Sequence, residues 1–375
     1  MDPSALPFDT DSMLARLKEW VECESPTYEP PAVNRMMDLA ARALLMLGAR
    51  VDRIPGRMGF GDCLRAVMPH PASGSGILVL GHLDTVHPLG TLAASPWRRE
   101  GERAFGPGIL DMKGGALLAV EALGQLQRGG IVPALPVVVL LTSDEEVGGP
   151  STRDLIEAEA ARHRYVLIPE PARPGNGVVS GRYAIARFAL KATGRPSHAG
   201  ARPGEGRSAI REMARQIIRI EDMTTEDCTF SVGVVHGGQF VNCVSTTCTA
   251  EVLSMAKRQP DLDRGVAAML GLQPIGDDVR FEVRQTLTRP VWEPDARGIA
   301  LWERARAIAQ AMGEELPHQS SGGGSDGNFT GAMGIPTLDG LGVAGNGGHT
   351  LGEYIEIGSL ARRGRLLAAL LATLD

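Results

Sequence analysis

The sequence predicts an α/β fold in which a largely parallel sheet lies between helices and a second, α+β domain is inserted into the chain. Short apolar runs of strand length alternate with a segment of helical periodicity, and this order is typical of α/β proteins. The pattern changes after Ser180 and returns after Pro290. In addition, 375 residues with 43% hydrophobic content exceed the usual size of one domain.

The N-terminal half of the chain carries the strand, helix, strand order. Residues 76–80 (GILVL), 136–141 (PVVVLL) and 165–168 (YVLI) are apolar runs of strand length. Residues 115–127, between the first two runs, have the apolar spacing of a helix. This order predicts a doubly wound parallel sheet, in which ligands bind beyond the carboxyl ends of the strands.

The middle of the chain has a different character. Residues 182–193 alternate like a half-buried strand, residues 208–220 are typical of an amphipathic helix, and residues 229–235 and 248–255 indicate further strands. We therefore expect a separate antiparallel sheet with helices.

The last part of the chain returns to the first pattern. It contains a helical segment at 298–312, a glycine-rich loop, a short strand around 335–338 and a terminal helix over 359–374. We infer a discontinuous catalytic domain interrupted by an insertion. The predicted boundaries are 1–181 and 291–375 for the catalytic domain and 182–290 for the insertion.

Composition excludes several classes of partner. The net charge is −6 and no basic cluster occurs, so neither nucleic acid nor an anionic membrane surface is indicated, and a small-molecule substrate fits better. The N-terminal residues lack the basic and apolar regions of a signal peptide, and no apolar stretch reaches membrane-spanning length. Five cysteines without a CxxC pair indicate reduced thiols, and we expect a cytoplasmic protein.

Histidine and acidic residues stand just past the apolar runs, where a parallel sheet places its ligand site. They are His82 and Asp84 in GHLDTVHP, Asp111 in GPGILDMKGG, Glu145 and Glu146 in TSDEEVGG, Glu170 in IPEP, and His349 in GNGGHT. Carboxylates and imidazoles in this mixture bind zinc-like divalent metals, and the surplus carboxylate suggests two metals that share a bridge. The sequence therefore predicts a metallohydrolase.

The chemistry of such a site explains why these residue types would occur at these positions. Two divalent ions a few ångströms apart can hold one hydroxide between them, and a carboxylate such as Asp111 has two oxygens with which to bridge them. If the backbone is extended at Glu145 and Glu146, one side chain can bind metal while the other stays free. In the segment HLD, residues i and i+2 lie on the same side, so Asp84 is expected to accept the imidazole N–H of His82.

These motifs, together with TGRPSHAG and SGGGSDGN, occur in the order typical of the M20 metallopeptidases. The chain most closely resembles the glutamate carboxypeptidase branch of that family, over nearly its whole length. The metal ligands that the resemblance implies are His82, Glu170 and His349 as terminal ligands, Glu146 as a ligand of the other metal, and Asp111 as the bridge. It also implies Glu145 as the general base, Asp84 as the carboxylate behind His82, and the insertion as a dimerisation or lid domain.

The resemblance implies further residues that act on the substrate. His198 in TGRPSHAG would reach into the partner subunit's active site and stabilise the oxyanion, so a homodimer is expected. Asn242 would cross to the partner as well. Arg289 in TRPVW would clamp the substrate α-carboxylate, and the glycine-rich loop at Gly324 would approach the same carboxylate through backbone N–H groups.

Two positions depart from the family pattern. Leu253, Ser254 and Met255 occupy a strand where the family commonly has an arginine that helps to recognise the substrate, so the side-chain specificity stays open. Met112 replaces the second residue of the usual acidic pair, and we expect it to alter packing without affecting the metals.

The predicted activity is hydrolysis of a peptide or N-acyl amide bond at a dizinc site through a metal-bridging hydroxide, with Glu145 as general base. Release of a C-terminal amino acid of the glutamate type is favoured. Cobalt or manganese accept similar ligands and are the alternatives to zinc. Alternative functions are an N-acyl amino acid deacylase or dipeptidase of the same family and a catalytically silent binding protein. A dinuclear phosphoesterase would require more basic residues near the site than Arg289 and Lys113.

Overall fold

Residues 2–375 are described by a computed structural model, in which the chain folds as two units. The first unit contains the chain up to Gly181 with Pro294–Ser320 and Ser325–Asp375, and the second contains Arg182–Glu293 with Ser321–Gly324. The second unit thus includes a piece of the glycine-rich loop that the sequence-based boundaries place in the other domain. Within the described residues, every helix is too short or too polar to cross a membrane.

The described residues form ten α-helices and sixteen strands. The helices are α1 Thr10–Glu22, α2 Pro30–Met46, α3 Thr91–Ala94, α4 Gly114–Arg128, α5 Arg153–Ala160, α6 Ala209–Glu221, α7 Gln259–Leu270, α8 Ala296–Ala311, α9 Gly327–Ala332 and α10 Ile357–Thr373. The strands are β1 Arg50–Ile54, β2 Cys63–Val67, β3 Ile77–His82, β4 Arg98–Glu100, β5 Arg103–Phe105, β6 Val137–Thr142, β7 Tyr165–Leu167, β8 Val178–Arg182, β9 Ala184–Thr193, β10 Cys228–Gly237, β11 Thr247–Ala256, β12 Arg280–Arg289, β13 His318–Ser321, β14 Thr337–Leu338, β15 Gly345–Asn346 and β16 Tyr354–Glu356.

The central sheet of the first unit has the strand order β1-β2-β6-β3-β7-β14. Strands β6, β3, β7 and β14 run parallel, β2 pairs antiparallel with β6, and β1 pairs antiparallel with β2 at the edge. Ile77 and Val79 of β3 belong to a core with α1, α2, α4 and α10, whereas Leu78 and Leu80 belong to a second core with α5 and α9. Burial on both faces explains the uninterrupted apolar runs, and this architecture confirms the predicted α/β class.

The second unit has an antiparallel sheet with the order β10-β11-β9-β12. Its strands alternate, so that Phe188 and Leu190 of β9 are buried while Arg187 and Lys191 are exposed. Helices α6 and α7 pack against the buried face. One face is therefore covered and the other is open, as the alternation in the sequence indicates.

Candidate metal centre

Three adjacent parallel strands position the candidate ligands. His82 is the last residue of β3, Glu145 and Glu146 follow the end of β6, and Glu170 follows the end of β7. Because β6, β3 and β7 are neighbours in that order, their carboxyl ends meet at one edge of the sheet. Side chains that are far apart in sequence therefore lie together.

Asp111 lies between the two histidines of the cluster. Its Oδ1 is 3.2 Å from His82 Nε2, and its Oδ2 is 3.1 Å from His349 Nε2. Each histidine has a glutamate beside it, because Glu170 Oε1 is 3.5 Å from His82 Nε2 and Glu146 Oε2 is 3.2 Å from His349 Nε2. The cluster thus consists of two His–Glu pairs that share Asp111.

A third combination of ligand atoms crosses the two pairs. One atom each from His82, Asp111 and Glu146 lies within 4.8 Å of the others, which is close enough to hold a single ion. In this trio, His82 comes from one His–Glu pair and Glu146 from the other. The three atoms lie close together because the two pairs are close to each other. We prefer the two-pair grouping, because it follows the shortest contacts of each imidazole.

The pKa values of the carboxyl groups show an excess of negative charge. Burial, together with the negative charge of Asp111, raises the pKa of Glu146 and of Glu170 to about 8, although hydrogen bonds with His349 and His82 act in the opposite direction. Glu146 Oε1 is buried and has no hydrogen-bond partner among the described residues. A buried polar atom without a partner is costly unless a ligand satisfies it. These residues therefore fit divalent metal ions, which neutralise such a cluster.

The pKa values of the two histidines are also raised, which in their case favours the charged form. Hydrogen bonds with Asp111 and Glu146 raise the pKa of His349 to about 11. Burial lowers the pKa of His82, but hydrogen bonds with Asp111, Asp84 and Glu170 raise it well above its ordinary value. Burial likewise opposes ionisation of Asp111, while the hydrogen bonds from both imidazoles lower its pKa. The neighbouring carboxylates therefore favour positive charge at this position, which divalent metal ions would supply.

Asp84 lies behind His82 and connects it to the glutamates. His82 Nδ1 is 3.0 Å from the backbone oxygen of Asp84 and 3.4 Å from its Oδ1. The Asp84 carboxylate also accepts hydrogen bonds from the backbone N–H groups of Glu145 (3.2 Å) and Glu146 (3.3 Å) and from the Thr27 hydroxyl (2.8 Å). Asp84 thus fixes the imidazole and the glutamate segment relative to each other.

The backbone at the paired glutamates is a turn of 3₁₀ helix, Glu145–Val147, so the condition of an extended backbone is not met there. Consecutive side chains of a 3₁₀ helix diverge by roughly 120°. Glu146 accordingly reaches His349, while Glu145 Oε2 lies 3.9 Å from His82 Nε2 on the other side. Gly148, with φ of 97°, ends the turn in a conformation that favours glycine.

Met112 is fully buried, and its Sδ accepts the backbone N–H of His82 at 3.3 Å. Its side chain therefore packs beneath the cluster and offers no charge to it. This placement fits the expectation that Met112 alters packing.

In the second unit, His198 and Asn242 lie on neighbouring exposed loops. The Asn242 backbone oxygen accepts the N–H of Ala199 at 2.9 Å. His198 Nδ1 accepts the N–H groups of Gly200 (3.2 Å) and Ala201 (3.0 Å). Because Nδ1 is used as an acceptor, the neutral ring carries its proton on Nε2.

Arg289 and Gly324 form a second pair in this unit. Arg289 is buried at the end of β12, and a Cβ at Gly324 would lie 3.0 Å from its Cδ and 2.6 Å from Ile185 Cδ1. Arg182, which the sequence analysis did not single out, is buried and donates to the backbone oxygens of Gly323 (2.6 Å) and Gly324 (3.0 Å). Its only signal in the sequence is a charged residue at the start of an alternating strand.

The chain is similar in sequence and in fold to known proteins. The sequence profile described as peptidase family M20/M25/M40 matches residues 78–373. Carboxypeptidase G2 of Pseudomonas sp. (strain RS-16) is 32% identical over 80% of this chain and 74% of its own length. Acetylornithine deacetylase of Myxococcus xanthus is 26% identical over 96% and 97%. A tripeptidase structure from Staphylococcus aureus aligns with a TM-score of 0.76 at 20% identity, over 97% of this chain and 98% of that one, which shows the fold.

Together, the profile match and the relatives establish the family, and family membership with the candidate ligand group implies divalent metal ions. The chain belongs to peptidase family M20/M25/M40 and is a hydrolase of amide bonds.

Proposed function

We propose that this chain is a dizinc hydrolase that releases a C-terminal amino acid, with glutamate favoured, from a peptide or an N-acyl amino acid. The observation that carries the proposal is Asp111, which presents one carboxylate oxygen to each of two His–Glu pairs. His82, Glu170 and Asp111 would hold one ion. His349, Glu146 and Asp111 would hold the other.

The donor set favours zinc. Each pair supplies one imidazole nitrogen and carboxylate oxygens, which are common zinc ligands, although cobalt and manganese accept similar sets. Divalent ions supply Lewis-acid chemistry, since they lower the pKa of water and polarise a carbonyl.

Glu145 is the proposed general base. Its Oε2 lies 3.9 Å from His82 Nε2, at the edge of the cluster, and the Asp84 carboxylate accepts its backbone N–H. Glu145 would take one proton from the attacking water as the new C–O bond forms. It would then pass that proton to the amine nitrogen as the C–N bond breaks, so that acid and amine leave in balance.

Arg289 and the glycine-rich loop are the proposed recognition site for the α-carboxylate. A guanidinium matches a carboxylate in a two-point hydrogen bond. Gly324 lies against the Arg289 side chain, and a residue without Cβ lets a ligand approach its backbone N–H closely. Leu253 is exposed and Ser254 is buried on β11. Because neither side chain is charged, these two residues provide no cation for the substrate side chain.

We further propose that the active form is a homodimer in which His198 and Asn242 serve the partner's active site. The His198 tautomer leaves Nε2–H as a hydrogen-bond donor, which is the group that stabilises an oxyanion. Strand β10 lies at an edge of its sheet, and the nearby Phe240 and Val241 are exposed. Exposed apolar side chains beside an open edge strand are typical of an interface.

An N-acyl amino acid deacylase or a dipeptidase is the second candidate. The likeness to acetylornithine deacetylase extends over almost the whole of both chains, which supports a deacylase. Both candidates use the same metal centre and differ only in the groups on either side of the scissile bond.

A substrate panel tests the proposal. Zinc-loaded protein is incubated with N-acyl amino acids and dipeptides that vary each side of the amide, and the released amino acid is quantified. Release of glutamate in preference to other residues, abolished in Glu145→Ala, is the expected result. Preference for another amino acid would contradict the glutamate assignment, and release that persists in Glu145→Ala would contradict the mechanism.

A further inference from the structure

Glu353 is a buried carboxylate that connects three segments of the first unit. Only 1% of the residue is exposed. Its Oε1 accepts the backbone N–H groups of Leu110 (2.7 Å) and Asp111 (2.9 Å). Its Oε2 lies 2.9 Å from the N–H of Gly108 and 2.7 Å from Nε2 of His87.

Each connected segment carries one of the candidate metal ligands. The segment that leaves β3 begins with His82 and reaches His87, and the turn that binds the Glu353 carboxylate ends in Asp111. Glu353 itself closes the loop that contains His349, because its N–H donates to Thr350 O at 3.3 Å. Within the same loop, the N–H and the hydroxyl of Thr350 both donate to the Gly347 oxygen, at 3.0 Å and 2.7 Å. Glu353 therefore connects the three segments through its carboxylate and its backbone N–H.

The backbone of two of these segments depends on outside support. His349 has φ of 64°, a conformation that residues with a Cβ rarely adopt and keep only when their surroundings fix it. Gly108 has φ of 70°, and a Cβ there would lie 2.6 Å from Thr85 Cγ2. Neither segment is held by long regular secondary structure, so the Glu353 hydrogen bonds are well placed to define both.

The chemistry of the contacts requires a carboxylate. Four donors point at Glu353, and an ionised carboxylate offers acceptor sites for all four without contributing a donor of its own. A glutamine of the same shape would direct an NH₂ group at two of these donors, whichever way its amide is turned. Those donors would stay buried without an acceptor.

We propose that Glu353, held by His87, is a positioning residue that fixes Asp111 and the His349 loop at the spacing needed to bind two metal ions. The inference rests on the proposed dizinc site. It adds two residues outside the ligand set, and assigns His87 a role in holding Glu353. Partners that orient metal ligands typically contribute about 10- to 100-fold to metal affinity or activity.

The test compares Glu353→Gln with wild type and with Glu212→Gln. Glu212 is a matched control, since it is a buried carboxylate of the second unit that accepts the N–H groups of Ile275 (2.8 Å) and Gly276 (2.9 Å). Zinc stoichiometry and dissociation constants are measured by equilibrium dialysis, and the visible absorption spectrum of the cobalt-loaded protein reports ligand geometry. We expect Glu353→Gln to weaken zinc binding about 10- to 100-fold and to change the cobalt spectrum. The control should bind zinc like wild type.

The outcomes separate this inference from the proposed function. Wild type that binds no zinc would remove the dizinc proposal and this inference with it. Two ions in wild type and unchanged affinity and spectrum in Glu353→Gln would overturn the positioning role alone, even if that variant melts at a lower temperature.

A second variant keeps the inference testable if Glu353→Gln does not fold. His87→Phe keeps a planar ring and removes one of the four donors, so we expect a smaller loss of zinc affinity, up to about 10-fold. His87→Gln, which retains an N–H donor, should recover part of it. Wild-type affinity in His87→Phe would contradict the role of His87.

Discussion

The candidate metal centre of the first unit and the candidate recognition residues of the second unit are built in different ways. Every member of the metal cluster contacts another member within 4 Å, and the cluster is anchored to the ends of buried parallel strands. The recognition residues form two separate pairs, and one of them, His198 with Asn242, lies on exposed loops. Ligands that must share metal ions need one rigid frame, whereas residues that meet a substrate or a second subunit must stay accessible.

The largest effect is expected at the metal cluster. Glu145→Gln should lower kcat by about 10²- to 10⁴-fold while two ions stay bound, because the amide cannot accept the water proton. Metal content by mass spectrometry and kcat on the best panel substrate check this. A variant that loses its metal together with its activity would make Glu145 a ligand, and the distinction between base and ligand would fail.

His198→Ala tests whether the second unit takes part in the chemistry. Loss of one oxyanion donor should lower kcat by about 10²- to 10³-fold with metal content unchanged. Arg280→Ala, which removes an exposed side chain from β12 at the opposite edge of the same sheet, is the control and should be near wild type.

Mixing the two inactive variants sharpens this test. If His198 acts on the partner's site, a mixed dimer of Glu145→Gln and His198→Ala contains one complete site, so part of the activity should return after subunit exchange. No recovery in mixed dimers that sedimentation shows to have formed would place His198 in its own subunit's site.

Arg182→Lys tests the other pair of the second unit. The shorter, non-planar ammonium cannot hold the Gly323 and Gly324 oxygens in the same way, so the loop beside Arg289 should lose its fixed position. We expect KM to rise about 10-fold, which corresponds to about one charged hydrogen bond, with metal content unchanged. A fall in kcat at constant KM would show that the loop does not bind the ground-state carboxylate.

The smallest expected effect is on stability. It concerns Glu159, a buried acid whose pKa is lowered, in contrast to Glu146 and Glu170 of the candidate metal cluster, whose pKa values are raised. Burial alone would raise the pKa of Glu159, but hydrogen bonds from His163 and Arg65 lower it to about 2. A carboxyl group whose pKa is lowered by folding stabilises the native protein at a pH above its unfolded-state pKa. This stabilisation is lost as the pH falls toward about 2, the pKa in the folded protein. Glu159→Gln should thus lower the free energy of unfolding at pH 7 by about 1–2 kcal/mol. This is less than the whole pKa shift would represent, because Arg65 is partly exposed and solvent screens its charge.

Urea unfolding between pH 7 and pH 2 measures this difference. The gap between Glu159→Gln and wild type should close as the pH falls through about 4.5 to about 2. A gap that does not change with pH would mean that packing of the side chain, and not its charge, stabilises the first unit.

Much of the fold could be predicted because buried strands and helices have a characteristic local pattern of apolar residues. The apolar runs at β3, β6 and β7 are short and uninterrupted, and α4 is within one residue of its predicted bounds at each end. Strands β1 and β12 were missed, because they are edge strands with many charged residues and little periodic contrast. Strand β2 was missed as well, because its five residues are too few to show a clear pattern. Helix α7 was also missed, in a stretch where polar residues interrupt the apolar spacing.

The candidate site likewise has features that could be predicted from the sequence and features that could not. The metal cluster is marked by chemistry that few other residue types provide, so His82, Asp111 and the glutamates could be named from their motifs. The conformation of the Glu145–Glu146 segment could not, because the 3₁₀ turn depends on distant contacts such as that of Asp84 with the two backbone N–H groups. Arg182 and Glu353 were missed because each acts through hydrogen bonds to backbone groups, which have no sequence signature.

The sequence by itself determined the class of fold, the chemical types of the ligands and the family, since these depend on apolar periodicity and on side chains with special acid–base and metal-binding properties. Only the tertiary structure decided how the ligands pair across Asp111 and which residues hold them. The physical reason is that pairing and support depend on distances of about 3 Å between segments remote in sequence. Those distances are set by strand order and by buried hydrogen bonds.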